Sequence, residues 1–188
     1  MNQVAIPHAG ASDLRQSPSL QTRFAQALTL DDFIASAEAN ADLWRALARR
    51  AVVPQTLRAA VQSVAGRWHL LVLVEDWCGD AVNSLPYVQA LANTAPAIDM
   101  RILSRDANPD LMDAHLSPTG GRAIPVVIVL DEHYVERCWW GSRPRELQRW
   151  IHTDGAHLSK DDRYSEARKW YARDRGASII AELLALLS

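Results

Sequence analysis

The stretch Glu75-Asp76-Trp77-Cys78-Gly79-Asp80-Ala81 holds the residues best suited to chemistry. It sets one thiol between a continuous apolar run at 70–74 and helically spaced apolar residues from Val82 onward. A helix start offers unpaired N–H groups and the positive end of the helix dipole, so a thiolate there is stabilised and better able to attack. Asp80 acts against this, because a carboxylate two residues away raises a thiol pKa. The helix end contributes only ~0.3–1 kcal/mol, which a nearby negative charge can cancel. Asp80 reads more readily as the N-cap of the helix than as a catalytic group.

Other candidates are weaker. Cys138 lies three residues before Gly141, about 10 Å along an extended strand. A disulfide needs Cα atoms within roughly 7 Å, so Cys138 reads as a half-buried structural cysteine rather than a partner for Cys78. His8, His69, His115, His133, His152 and His157 form no HExxH or paired CxxC pattern, so neither a zinc site nor any other metal or cofactor is expected. No histidine is placed beside Cys78 as a hydrolase would require. No glycine-rich phosphate loop exists, and Gly120-Gly121 reads as a turn.

The surrounding pattern is that of a frame built to hold such a thiol. Thr29, with Asp31 and Asp32, starts a helix whose apolar face runs through Phe33, Ala37, Asn40, Trp44, Leu47 and Ala51. Pro54 ends it and opens a second helix towards Gly66. Residues 70–74 (Leu-Leu-Val-Leu-Val) and 126–130 (Val-Val-Ile-Val-Leu) read as strands buried on both faces, and 98–103 as an alternating strand. Helices are expected over 80–92, over a short stretch from Asn108-Pro109, and after Ser142-Arg143-Pro144. A tight connection at 131–133 leads to a strand at 134–140. The order over 68–152 is β-α-β-α-β-β-α. Strands separated by helices are expected to pair in parallel, and the tight connection to make an antiparallel hairpin. The fold class is α/β, a four-stranded mixed sheet flanked by helices with helical N- and C-terminal extensions. The expected divisions are a loose arm at 1–28, a helical extension at 29–65, a core at 66–152 and a C-terminal helical segment at 153–188. In that last segment Tyr164, Ala167, Trp170 and Tyr171 share a face, and Ile180, Leu183, Leu184 and Leu187 form an apolar stripe.

The 188 residues are 48% hydrophobic and 22% charged, which excludes a largely disordered chain. Twenty Lys+Arg against twenty-two Asp+Glu give a net charge of -2, so nucleic-acid binding and polybasic membrane attachment are not expected. No apolar run approaches the ~20 residues of a membrane span, and the first sixteen residues carry no export signal. A cytoplasmic protein is expected. The sequence sets no oligomeric state.

Trp77-Cys78-Gly79 at a strand-to-helix junction, Ile124-Pro125 just before a buried strand, and Gly141 sixteen residues further on occur in this order on that frame. Over about residues 66–152 the chain resembles the thioredoxin family, and most closely the bacterial single-cysteine branch whose motif reads Trp-Cys-Gly-Asp. The resemblance implies that Cys78 is the nucleophile, that Trp77 shields it, and that Pro125 is the cis-proline held near the thiol. It implies too that the backbone of Ile124 pairs with an extended substrate, and that Trp139, Trp140 and Gly141 line the same groove. Gly79 and Asp80 complete the motif. The chain departs from the family where Ala81 replaces the resolving cysteine, Val72 the buried acid, and Asp80 the proline. A thiol less acidic than that of a dithiol thioredoxin is expected.

Two functions follow from the resemblance. One is monothiol thiol–disulfide exchange through Cys78, acting on protein or small-molecule thiols and disulfides, with a small thiol such as glutathione replacing the missing cysteine. The other is a redox-inactive binding module that keeps the cis-proline groove. Arg143 and Arg145, at a helix start, read first as solvated charges and second as contacts for an anionic substrate such as glutathione.

Overall fold

The computed structural model describes residues 18–187; the first 17 residues of the expected loose arm, and residue 188, lie outside the described residues. The chain opens with α1 (Leu20–Gln26), α2 (Leu30–Ser36), α3 (Ala41–Ala48) and α4 (Gln55–Gln62), then enters β1 (Trp68–Val74). Next come α5 (Gly79–Thr94), β2 (Ile98–Ser104), α6 (Pro109–Ala114), β3 (Val126–Leu130) and β4 (Glu136–Gly141). Helices α7 (Arg145–His152), α8 (Lys160–Asp174) and α9 (Ala177–Leu184) close the chain. Among the described residues no helix is long and apolar enough to cross a membrane.

The four strands form one mixed sheet in the order β2-β1-β3-β4. Strands β1 and β3 take the two central places, and from Leu70 to Val74 and throughout β3 their residues are buried, as their unbroken apolar runs require. β1 pairs in parallel with β2, from Trp68 opposite Ile98 to Val74 opposite Ser104. β3, expected to run parallel to its neighbour, instead pairs antiparallel with β1. The cause is the connection. A parallel return must carry the chain the full length of the sheet, whereas α6 has six residues and rises only about 9 Å. The chain therefore stays at the Cys78 end, and β3 starts there, directly after Pro125. The β3–β4 hairpin is antiparallel as expected. The Asp131 carboxylate shapes its turn by accepting from the N–H groups of His133 (2.9 Å) and Val135 (3.0 Å).

The single helix expected over residues 29–51 is two. Thr29 caps α2, its hydroxyl accepting from the Asp32 N–H at 3.1 Å. The helix stops at Ser36, and Asn40 adopts a left-handed conformation with φ 55° before α3 begins. The break is held from outside. The Asp76 carboxylate, just ahead of the cysteine, accepts from the N–H groups of Glu38 at 2.8 Å and Ala39 at 2.9 Å. Helical periodicity survives the break, because Trp44 and Ile34 still reach the core.

The extensions complete that core. Helix α3 packs on α5, and α9 packs on both α4 and α5. Trp44, Val61, Ile179, Ile180 and Leu183 are fully buried, each contributing roughly 1.5–3 kcal/mol of apolar burial. The apolar stripe on α9 is thus spent within the chain. At the free edge of the sheet, Leu28 exchanges both backbone hydrogen bonds with Ile102 of β2, at 3.0 and 2.8 Å. An exposed edge invites pairing with another chain, and this bridge occupies part of it.

Candidate active site

Three anchors set the loop carrying the thiol. The Glu75 carboxylate accepts from the Ser104 hydroxyl (2.8 Å) and the Asp106 N–H (2.9 Å), tying the end of β1 to the end of β2. The Asp76 side chain holds the α2–α3 junction, and its backbone carbonyl accepts from the Trp44 indole N–H at 2.9 Å and the Asn40 amide at 3.2 Å. Glu75 and Asp76 are therefore engaged in positioning, and the N-terminal helices fix the loop through Asp76.

Cys78 takes the N-cap position of α5 without a side-chain cap. It is 6% exposed. The Ile124–Pro125 bond is cis, and the Cys78 thiol donates to the Ile124 carbonyl at 3.3 Å. Burial pushes the thiol pKa up to about 11; the backbone N–H groups of Ala81 and Asp80 and the Arg143 guanidinium pull it down, while the Asp80 charge adds to the rise. The less acidic thiol expected from Asp80 is found, but desolvation is the larger cause.

Asp80 is not the helix cap. It lies in the first turn, 7% exposed. One carboxylate oxygen pairs with the Arg143 guanidinium at 2.5 Å, and the other accepts from the Tyr171 hydroxyl at 3.0 Å. Arg143 also donates to Gln148 at 3.2 Å, so it is not a solvated helix-start charge, although its Nε has no hydrogen-bond partner among the described residues. Tyr171 comes from α8, 91 residues away from Asp80. Burial and the Asp80 charge raise its pKa well above the ordinary value, so it remains a neutral donor. No sequence pattern joins these three residues, since their spacing matches neither a helix turn nor a strand pair.

The remaining motif residues separate into wall and frame. Trp77 is 53% exposed, with the Arg105 guanidinium 5.0 Å above its ring, and it lines the cavity beside Cys78. Ile124 lines the cavity at Cys78. Trp140 does not: it is 1% exposed, and its indole donates to the Glu182 carboxylate of α9 at 2.7 Å. Trp139 packs edge-to-face on His115. Gly141 pairs with Val126, and a Cβ there would overlap the Pro125 carbonyl oxygen, so its contribution is a close backbone approach. The Gly141–Ser142 bond is cis as well. Cys138 is a half-buried free thiol opposite Val129.

The cavity above Cys78 encloses about 550 Å³. Helix α8 forms one wall, with Tyr164, Ala167, Arg168 and Tyr171 facing in. Four arginines (Arg105, Arg122, Arg143, Arg168) and two aspartates (Asp80, Asp161) line it. Arg122 forks onto Asp113 with two 2.7 Å bonds, and Arg105 bonds Asp106 at 2.8 Å. Among the described residues no group of three or more His, Cys, Asp or Glu is arranged to hold a metal ion. The arrangement can bring a small anionic molecule against one sulfur.

A family model described as Thioredoxin matches residues 27–169. Among solved structures, the chain is similar to a protein of unknown function from Pseudomonas aeruginosa, at 21% identity over 91% of this chain and 98% of that one, with a TM-score of 0.72. It is also similar to an HIV epitope-scaffold, 4E10, at 21% identity over 90% of this chain and 98% of that one, with a TM-score of 0.68. Likeness at such identity carries the fold alone. No curated protein matches the chain.

Proposed function

The chain belongs to the thioredoxin family, and from that premise we propose that it carries out monothiol thiol–disulfide exchange through Cys78, with a small anionic disulfide as substrate. The observation that carries the reading is the placing of the lone sulfur against the cis Ile124–Pro125 bond in an arginine-rich cavity. Ala81 stands where a dithiol member has its second cysteine, and Cys138 is held in the hairpin. The chemistry balances with an external thiol. The Cys78 thiolate attacks the glutathionyl sulfur of a mixed disulfide between glutathione and another small thiol, forming a Cys78–glutathione disulfide and releasing the other thiolate. A glutathione thiolate then attacks the glutathionyl sulfur on Cys78, releasing the Cys78 thiolate and glutathione disulfide, so that the substrate disulfide is reduced at the expense of glutathione. A reducing, cytoplasmic setting would supply that thiol and keep both cysteines free.

A high thiol pKa makes the step slow without forbidding it. At pH 7 a thiol of pKa about 11 is ionised in only about one molecule in ten thousand. That thiolate is, in return, more nucleophilic than an acidic one. The N–H groups of Asp80 and Ala81 receive the charge once the sulfur turns from the Ile124 carbonyl.

The same pKa favours a second reading, a module that binds a ligand in this cavity without turnover. Mass spectrometry after exposure to glutathione disulfide separates the two. One glutathionyl adduct is expected on Cys78, absent in Cys78→Ser and retained in Cys138→Ser. An unmodified Cys78 would leave the binding module.

A further inference from the structure

A second cavity, of about 560 Å³, opens where the α3–α4 connection, α5 and the α8–α9 junction meet. Arg50 comes from the connection, Arg58 from α4, and Arg175 from the junction, and all three line it. None of the three has a carboxylate partner among the described residues. The Cys78 cavity differs, since Arg105, Arg122 and Arg143 each have an acid of their own. The one carboxylate lining the second cavity is Asp174. It is already engaged at the start of α9, accepting from the Ser178 hydroxyl at 2.5 Å and the Ser178 N–H at 3.1 Å. Three guanidiniums around a single carboxylate leave an excess of positive charge at this cavity, in a chain whose net charge is -2.

The junction is well defined. Arg175 and Gly176 are both left-handed, with φ 51° and 81°. A Cβ on Gly176 would overlap the Tyr87 ring, so the turn lies directly on that ring and Arg175 springs from a fixed backbone. Tyr87 adds a neutral phenolic group to the lining, its pKa raised further by burial. Val52, 62% exposed, and Pro54 give the rim an apolar part.

We infer that this cavity binds a small phosphate-bearing ligand, its phosphate oxygens taken by Arg50, Arg58 and Arg175 and its body resting on the Val52–Pro54 rim. Guanidinium groups bind phosphate through paired N–H bonds, and three of them suit a multiply charged group better than a single carboxylate. Arg175 and the rest of the α8–α9 junction lie beyond the residues matched by the family model, whereas Arg50, Arg58 and Tyr87 lie within them. The site does not depend on what Cys78 does.

Calorimetric titration with inorganic pyrophosphate at physiological salt tests this. One saturable site is expected, weakened about tenfold or more in the Arg50→Ala/Arg58→Ala protein. Arg175→Gly, which keeps the left-handed backbone, should weaken it likewise. Arg168→Ala, which removes a charge at the other cavity, should leave it unchanged. Absence of saturable binding, full affinity in the double variant, or loss in Arg168→Ala would each overturn the proposal.

Discussion

Replacing Arg143 with alanine is expected to cost about 3 kcal/mol of stability and to slow whatever chemistry Cys78 performs. Arg143 meets a carboxylate that is 7% exposed, and without the guanidinium that charge retains a single side-chain partner, the Tyr171 hydroxyl at 3.0 Å. Removing one member of a buried pair costs far more than the pair contributes, because the survivor stays out of water. Replacing both, as Asp80→Asn with Arg143→Met, should therefore recover most of the loss in urea unfolding. Reactivity separates the partners. Arg143 lowers the Cys78 pKa and Asp80 raises it, so Asp80→Asn should speed adduct formation about three- to tenfold at pH 7. A purely structural pair would leave the pH dependence of that rate where it was.

Gly141→Ala is expected to be comparably damaging, on the order of 3 kcal/mol. The new methyl would run into the Pro125 carbonyl oxygen and stand 3.3 Å from the Val126 Cα. Both obstacles are backbone atoms of the segment that faces the thiol, so neither can swing aside, and relief requires moving Pro125 or peeling β4 from β3. Gly79→Ala is the natural contrast. Although Gly79 sits in the motif, a Cβ there meets nothing within 4 Å, and thermal unfolding should change by no more than about 0.5 kcal/mol. The two glycines thus have different physical grounds, one steric and one permissive.

Local chemistry was readable in the amino-acid order, and long-range pairing was not. The apolar runs at 70–74 and 126–130 announce buried strands because both faces of a central strand must be apolar. The thiol's place follows because one of those runs ends just before it. Asp80 shows the limit. Its carboxylate was assigned to the nearest N–H groups, as propensity dictates, yet it turns to Arg143 and Tyr171, 63 and 91 residues onward. Only tertiary structure brings those positions together. Asp76 gives no sign of its role for the same reason, since its partners Glu38 and Ala39 come from a segment whose periodicity is that of one unbroken helix. The direction of β3 was misjudged because a helix between strands suggests a crossover, and the shortness of α6 outweighed that rule. For Trp140, a large aromatic beside the groove gave no sign that Glu182 of α9 would draw its indole into the core.

Helix α8 closes one side of the cavity at Cys78. Tyr164, Ala167 and Arg168 occupy one side of the cavity above Ile124, where an extended polypeptide would otherwise lie along the backbone. On the proposed reading, this wall is the reason to expect exchange with a compact disulfide rather than with an extended protein strand.

The rate of glutathionylation of the Cys138→Ser protein by glutathione disulfide, followed from pH 7 to pH 10, bears most directly on Cys78 as a buried but competent thiol. Modification of Cys78 should occur and accelerate about tenfold for each pH unit, still climbing at pH 10. A plateau below pH 9 would contradict the effect assigned to burial, and no adduct at any pH would contradict exchange itself.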